Sequence, residues 1–495
     1  MKTENFDKNP WDWTKARHLL NRAGFGGKPS EIELLDKIGL DSGLKKLFDF
    51  KSRSLETPDW LSEYDRFSLR GIRDLSEEER RELNRLNRQR IHEFQVGWIK
   101  RMIESPKPSD MLWEKMTFFW HGHFATGVQK VRMPPLLFTQ LGLFHENAVG
   151  SFKDLLHGIS RDPAMLRYLD NNQNRRGKPN ENFARELMEL FSLGPGNYTE
   201  TDVKEAARAF TGWTNDPFNF RIRFRQHDHG KKTFLGHTGN FNGEDIVNII
   251  LDQPACAEFI ARKILNFFSF ENISGEKVQT FADEFRNHDY QIEPLLKKIF
   301  SHKDFYAAKV IGTQIKSPIQ LMVGTARTLD LKINNDKFVL YTLNLMGQVP
   351  YFPPNVKGWP GGKSWIDTSR LLTRYTFAEI IGRGEIPREI DPRSSRDFGP
   401  RKKKDRKRAK GAFGRNMRDR DFTIEFDPGK LLSGQNSPDA ILKRLTDVLL
   451  AQNLTDDERQ MLLTNYKNNL NTMNRKQAQK NLIGDIMGLP AYQLC

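Results

Sequence analysis

Cysteine is almost missing from this sequence: Cys256 and Cys495 are the only two. Two thiols cannot build a disulfide framework or a Cys-rich zinc site. Cys256 follows Pro254 in an apolar run with Phe259, Ile260 and Ile264 and reads as core, whereas Cys495 reads as a frayed, exposed thiol. Long apolar runs are missing too. None approaches the ~18 residues of a membrane span, and residues 1–10 lack the apolar centre of a secretory leader. A cytoplasmic location is the resulting expectation. Acidic charge is in deficit, with 63 Asp and Glu against 78 Lys and Arg. Much of the imbalance is local: residues 383–421 carry fifteen Lys and Arg against seven Asp and Glu. A nucleic-acid footprint spread over the whole surface is therefore not indicated.

Helical periodicity fills most of the chain. Residues 15–23 predict a short helix stopped at Gly24 and Gly26, and Ser30 with Glu33 forms a capping-box pattern. Residues 75–103 predict a long helix with a charged first half, and residues 111–120 an apolar one stopping near Gly122. A helix over 180–193 closes at Gly194-Pro195-Gly196. Thr199 and Asp202 cap another, with Val203, Ala206, Ala207 and Phe210 on one side. In Phe220-Arg221-Ile222-Arg223-Phe224-Arg225 apolar and basic residues alternate strictly, which is strand grammar. With Thr233-Phe234-Leu235 as partner, this predicts a small β-hairpin over about 219–236. Residues 401–410 have almost no apolar content and cannot offset their ordering entropy. The expected architecture is mainly α: a large irregular multi-helix domain over 1–382 with the hairpin inserted, a disordered basic insertion at 383–424, and C-terminal helices over 425–495 that pack back on it.

Chemistry-bearing side chains gather in three places. On a helical wheel, residues 180–191 put Phe183, Leu187 and Leu190 on one face and Glu181, Arg185, Glu186 and Glu189 on the other. That polar face is either solvated and laced with ion pairs, or the wall of a pocket in which Glu186 and Glu189 act as acid–base groups and Arg185 holds an anion. His121 and His123 flank Gly122. On a continuing helix they point about 200° apart and cannot share an ion; on an extended segment they can. His227 and Asp228 fall in the hairpin connection, where Asp228 is either a turn residue or a ligand. A set drawn from His121, His123, His227, Asp228 and Glu186 suits Zn²⁺, Fe²⁺ or Mn²⁺. The leading expectation is thus a metal-assisted enzyme, hydrolytic or oxidative. The rival is a non-catalytic helical protein that binds partners and uses these motifs as buried ion-pair networks. Trp213 and Trp359 read as core anchors or pocket covers. The 401–410 run reads as a solvated insertion or as a contact for an acidic partner; aromatic interleaving there is too thin for base stacking.

Several motif blocks occur in order: His18-Leu19-Leu20-Asn21-Arg22-Ala23-Gly24-Phe25-Gly26, then Phe119-Trp120-His121-Gly122-His123-Phe124-Ala125-Thr126, then residues 180–190. Asp202 through Thr211-Gly212-Trp213 follows, then His227-Asp228 with Lys231, Lys232 and Gly236, then Asn355-Val356-Lys357-Gly358-Trp359-Pro360, and finally Gly488-Leu489-Pro490-Ala491-Tyr492. Together they resemble the bacterial family known as domain of unknown function 1800, over most of the chain apart from the basic insertion. The resemblance assigns no activity and no catalytic residue. It implies a partner protein encoded alongside, often an exported one, which keeps export open beside the cytoplasmic expectation.

Overall fold

The helix Pro108–His123 is apolar on nearly every side, and a helix of that kind is buried on nearly every side. Pro108 occupies its first turn, and Asp110 accepts from the Lys107 N–H at 3.2 Å. Its faces feed two large apolar clusters. Leu112, Met116, Phe119 and Trp120 join one, with helices Phe152–Arg161, Glu200–Ala209, Gly243–Asp252 and Pro254–Phe268. Phe118 joins the other, with helices Glu77–Glu104, Pro134–Glu146, Pro318–Leu329, Thr368–Arg383 and Arg475–Met487. This is a computed structural model, and it describes residues 10–495 except 52–53, 66, 68–73, 217, 270–272 and 385–422. The disordered insertion expected at 383–424, and with it the 401–410 run, lies outside the described residues for nearly all its length.

The chain is mainly helical, and its described sheets are all two-stranded. Helices after residue 425 share the second apolar cluster. Thr368–Arg383 crosses Arg475–Met487 where Gly382 meets Gly484; a Cβ on either glycine would stand 2.9 Å from the other's Cα. The Trp13 indole N–H reaches the Asp447 carbonyl at 2.9 Å and ties the first helix to the same end of the chain.

Strand β1 (Trp213–Asp216) pairs antiparallel with β2 (Asn219–Ile222), β3 (Lys232–Phe234) with β4 (His237–Gly239), and β5 (Lys332–Ile333) with β6 (Ile424–Glu425). The alternating run at 220–225 is therefore a strand only as far as Ile222, and its partner lies upstream rather than at 233–235. The cause is local. The Arg223 N–H turns to the Gly212 carbonyl at 2.8 Å, and Phe224–Gln226 winds into a 3-10 turn. Gly212 has φ +82°, and a Cβ there would stand 2.7 Å from the Arg223 carbonyl oxygen, so this close approach needs glycine. Two short hairpins stand in series where one was expected.

Capping follows the sequence at Thr199 and Asp202, whose side chains reciprocally take the Asp202 and Thr199 N–H groups at 3.2 and 2.8 Å. It departs at Ser30: Pro29 fixes the first-turn geometry, so the helix starts before Ser30, with Glu31 bonding the Lys28 N–H at 2.8 Å. The helix expected over 180–193 is shorter, Asn182–Glu189, because Asn180 turns its side chain onto the Asn182 N–H at 3.0 Å. Cys256 is core as expected. Cys495 is not an exposed thiol; it is buried, and its Sγ accepts from Gln320 Nε2 at 3.2 Å.

Candidate functional site

The loop 353–362 lies over the C-terminal end of the Pro108–His123 helix. Asn355 accepts the Lys357 N–H on its Oδ1 at 2.9 Å and the Gly358 N–H on its carbonyl at 3.1 Å, which folds the loop back. Gly358 has φ +75° and presses on the Gly122 carbonyl; a Cβ there would stand 2.2 Å from that oxygen. This contact sets Trp359 against Phe118, with rings nearly parallel and centroids 6.2 Å apart, and edge-on to His121 at 5.5 Å. The Trp359 Nε1 is buried and has no hydrogen-bond partner among the described residues. Trp359 is half-buried and lines a pocket, while Trp213 is a fully buried core residue.

His121 and His123 both lie on the continuing helix, so they face opposite ways. His121 is fully buried beside Trp98 and Tyr351. Its Nε2 accepts the Tyr351 N–H at 2.9 Å, which places the ring proton on Nδ1. Tyr351 sits in the left-handed region (φ 58°), so His121 fixes a strained entrance to the 353–362 loop. Burial pushes the His121 pKa down to about 3.

His123 opens on the other side, into a cleft of about 640 Å³. The ring lies parallel to Phe119, and its Nε2–H donates to the Phe191 carbonyl at 3.0 Å. Its Nδ1 is then an acceptor, and Lys263 Nζ donates to it at 3.2 Å while also reaching the Leu190 carbonyl at 3.1 Å. Burial holds the Lys263 amine down at about 8, and burial first, then the Lys263 charge, keeps His123 neutral. Deeper in the cleft Lys115 lies between the Phe25 and Phe267 rings, 4.9 and 5.3 Å from their centroids, and donates to Gln320 Oε1 at 2.9 Å. Burial pushes its amine down to about 7. Gln320 uses its Nε2 on the Asn21 carbonyl at 2.8 Å as well as on Cys495. Lys357 also lines it, and among the described residues no Asp or Glu side chain does.

The polar face of Asn182–Glu189 is mostly an ion-pair surface. Arg185 forks onto Glu200 at 2.6 and 2.8 Å and touches Glu181 at 3.2 Å, which raises its already high pKa. Glu189 accepts the Tyr198 hydroxyl at 3.0 Å. Glu186 is half-buried. Burial and the neighbouring Glu189 raise its carboxyl pKa, while Lys357 pulls it back, so Glu186 belongs beside the 353–362 loop electrostatically.

His227 and Asp228 belong to a separate clamp. His227 donates from Nδ1 to the Thr211 carbonyl at 2.9 Å, and the Asp228 N–H bonds Thr211 Oγ1 at 2.8 Å. Arg208 grips Asp228 with two nitrogens at 2.8 and 3.2 Å and Glu205 with a third at 2.9 Å. That pairing holds the Asp228 carboxyl down at about 2. Buried Lys232 donates to the Asp228 and Gly230 carbonyls at 2.6 and 3.0 Å. Among the described residues, no three His, Cys, Asp or Glu side chains come together as a metal-holding group. Thus the seven residues singled out in the sequence divide among four places: His121 under the loop, His123 in the cleft, Arg185, Glu186 and Glu189 on one short helix, and His227 with Asp228 in the clamp.

A family model described as "Protein of unknown function (DUF1800)" matches residues 18–494. The chain belongs to the DUF1800 family. No curated protein and no solved structure matches it. In this DUF1800 member the cleft residues missed by motif reading are Lys115 and Lys263. A signal for both was present: each is a lone lysine in an otherwise largely apolar helical stretch, residues 111–120 and 259–268. A buried amine there has few neutral explanations.

Proposed function

We propose that the protein takes a small organic anion into the cleft beside His123, and that Lys263, oriented by His123, carries a proton to or from it. The observation that supports this reading is a lining with three lysines and, among the described residues, no Asp or Glu side chain, walled by Phe118, Phe119, Phe267 and Trp359. A pocket of this size suits a small molecule with an apolar body and an anionic group. Two of the amines, pushed down to about 7 and about 8, titrate near neutral pH, where an amine can serve as either acid or base. His123, held as the Nε2–H tautomer, offers Nδ1 as the acceptor that orients the Lys263 amine. Glu186 adds a carboxyl with a raised pKa near Lys357 at the loop.

The test is a panel of small carboxylates and phosphates, each beside its neutral amide or alcohol, read by calorimetry. An incoming anion favours the charged amines, so affinity is full below the free amine pKa and falls as pH rises through about 8. The loss is roughly tenfold per pH unit at its steepest, and Lys263→Met removes most of this dependence. Equal binding of the neutral compounds would sink the reading. The metal-assisted alternative, with Zn, Fe or Mn on His121, His123, His227 and Asp228, would need these groups to leave partners they already hold. Elemental analysis of purified protein tests it: stoichiometric metal that is lost in His123→Ala would restore it. The non-catalytic alternative draws on the Arg208 network, an ion-pair cluster that braces the fold.

A further inference from the structure

Phe224 is the most exposed large apolar side chain among the described residues, at 70 %. It stands in the 3-10 turn after β2, between exposed Arg223 and Arg225. A second turn is fastened beside it: the Arg176 N–H donates to the Gln226 carbonyl at 2.7 Å, and Arg175 bridges to Lys178. Arg175, Arg176 and Lys178 are exposed as well. Nearby Arg221 is matched by Asp216 at 2.5 Å. The other five cations have no carboxylate partner among the described residues, in a protein whose exposed cations elsewhere are often paired. Below β2, the Gly212 contact with Arg223 and the Asn174 carbonyl's bond to the Gly212 N–H at 2.9 Å hold both turns to one base.

We infer that these two turns dock the protein on an anionic lipid surface, with Phe224 entering the headgroup boundary and the five cations meeting lipid phosphates and carboxylates around it. One apolar tip ringed by cations matches the layered chemistry of such an interface. A single-stranded nucleic acid fits less well. Successive bases require successive aromatic platforms, and Phe224 is the one strongly exposed aromatic on these turns. The site is independent of the cleft and of any ligand there.

The experiment is co-sedimentation of the full chain with vesicles of phosphatidylcholine alone and with about 30 % phosphatidylserine, beside a fluorescent oligo-dT. Binding is expected to the anionic vesicles only, and to weaken steeply with salt. Arg223→Glu with Arg225→Glu is expected to weaken it by roughly tenfold or more. Phe224→Ser is expected to weaken it while leaving the salt dependence intact, because it removes the apolar entry and no charge. All three positions are exposed, so an unchanged melting temperature verifies folding. Equal binding to neutral vesicles, undiminished binding of the double variant, or binding to oligo-dT without vesicle binding would each overturn the proposal. The second of these would place the attraction on other cations of the chain. An inert Phe224→Ser variant would overturn the insertion step.

Discussion

The clamp around Asp228 and the cleft around His123 are both rich in cations, and they treat them in opposite ways. In the clamp, Arg208 faces two carboxylates, one of them 20 residues away, and Lys232 donates to two carbonyls beside Asp228. In the cleft, Lys115 and Lys263 donate to amide, carbonyl and imidazole groups and lie against Phe rings, and burial has dragged both amines towards neutrality. The same residue types thus brace the fold in one region and leave it poised in the other. Proximity of charged motifs in a sequence does not distinguish the two; the carboxylates that face Arg208 do.

The contrast can be broken at its structural end first. Gly358→Ala puts a methyl group where the Gly122 carbonyl already lies, on a backbone with φ +75°. The expected cost is about 2–4 kcal/mol, read by urea unfolding, with loss of anion binding as Trp359 shifts. A cost below about 0.5 kcal/mol would mean that the loop is loosely seated and the cleft is not preformed. Asp228→Asn comes next, at about 1–3 kcal/mol, because it leaves Arg208 with Glu205 alone. Its sign with pH is definite. The Asp228 pKa is depressed from 3.8 to about 2, so the stability it contributes is complete above 3.8 and disappears as pH falls towards 2. The two chains should converge in acid.

Much of the fold is written in local pattern. The Thr199–Asp202 box, the stop at Gly24 and the apolar stripes are short-range signals, and helices form where they lie; the stops expected at Gly122 and Gly194 were misplaced by a few residues. The strand pairing was less legible. Alternation in residues 220–225 announces a strand but not its partner, and the partner was chosen by Gly212, whose missing side chain lets Arg223 bond its carbonyl. The site was legible only in part. The reading proposed for the cleft turns on His123 and its neighbour Lys263, 140 residues away and carried by an apolar helix with no motif to mark it. Nothing local in His121-Gly122-His123 states that the helix runs on through both histidines and sends them to different cores.

Lys115→Met is the smallest expected effect and the sharpest comparison, since it runs opposite to the other two. Removing an amine that is costly to keep charged should stabilise the protein by on the order of 1 kcal/mol at neutral pH. The wild-type Lys115 pKa is lowered from 10.5 to about 7, so wild-type stability should climb as pH rises across that window. The methionine variant should lack that share of the climb. Melting curves between pH 7 and 10 check both statements.

Gln320 touches three distant stretches of chain with one side-chain amide: the Asn21 carbonyl, the Lys115 amine and the Cys495 sulfur. On the ribosome these partners emerge at very different times. Gln320 can meet Asn21 and Lys115 as soon as it emerges, whereas its contact with Cys495 waits for a further 175 residues of chain.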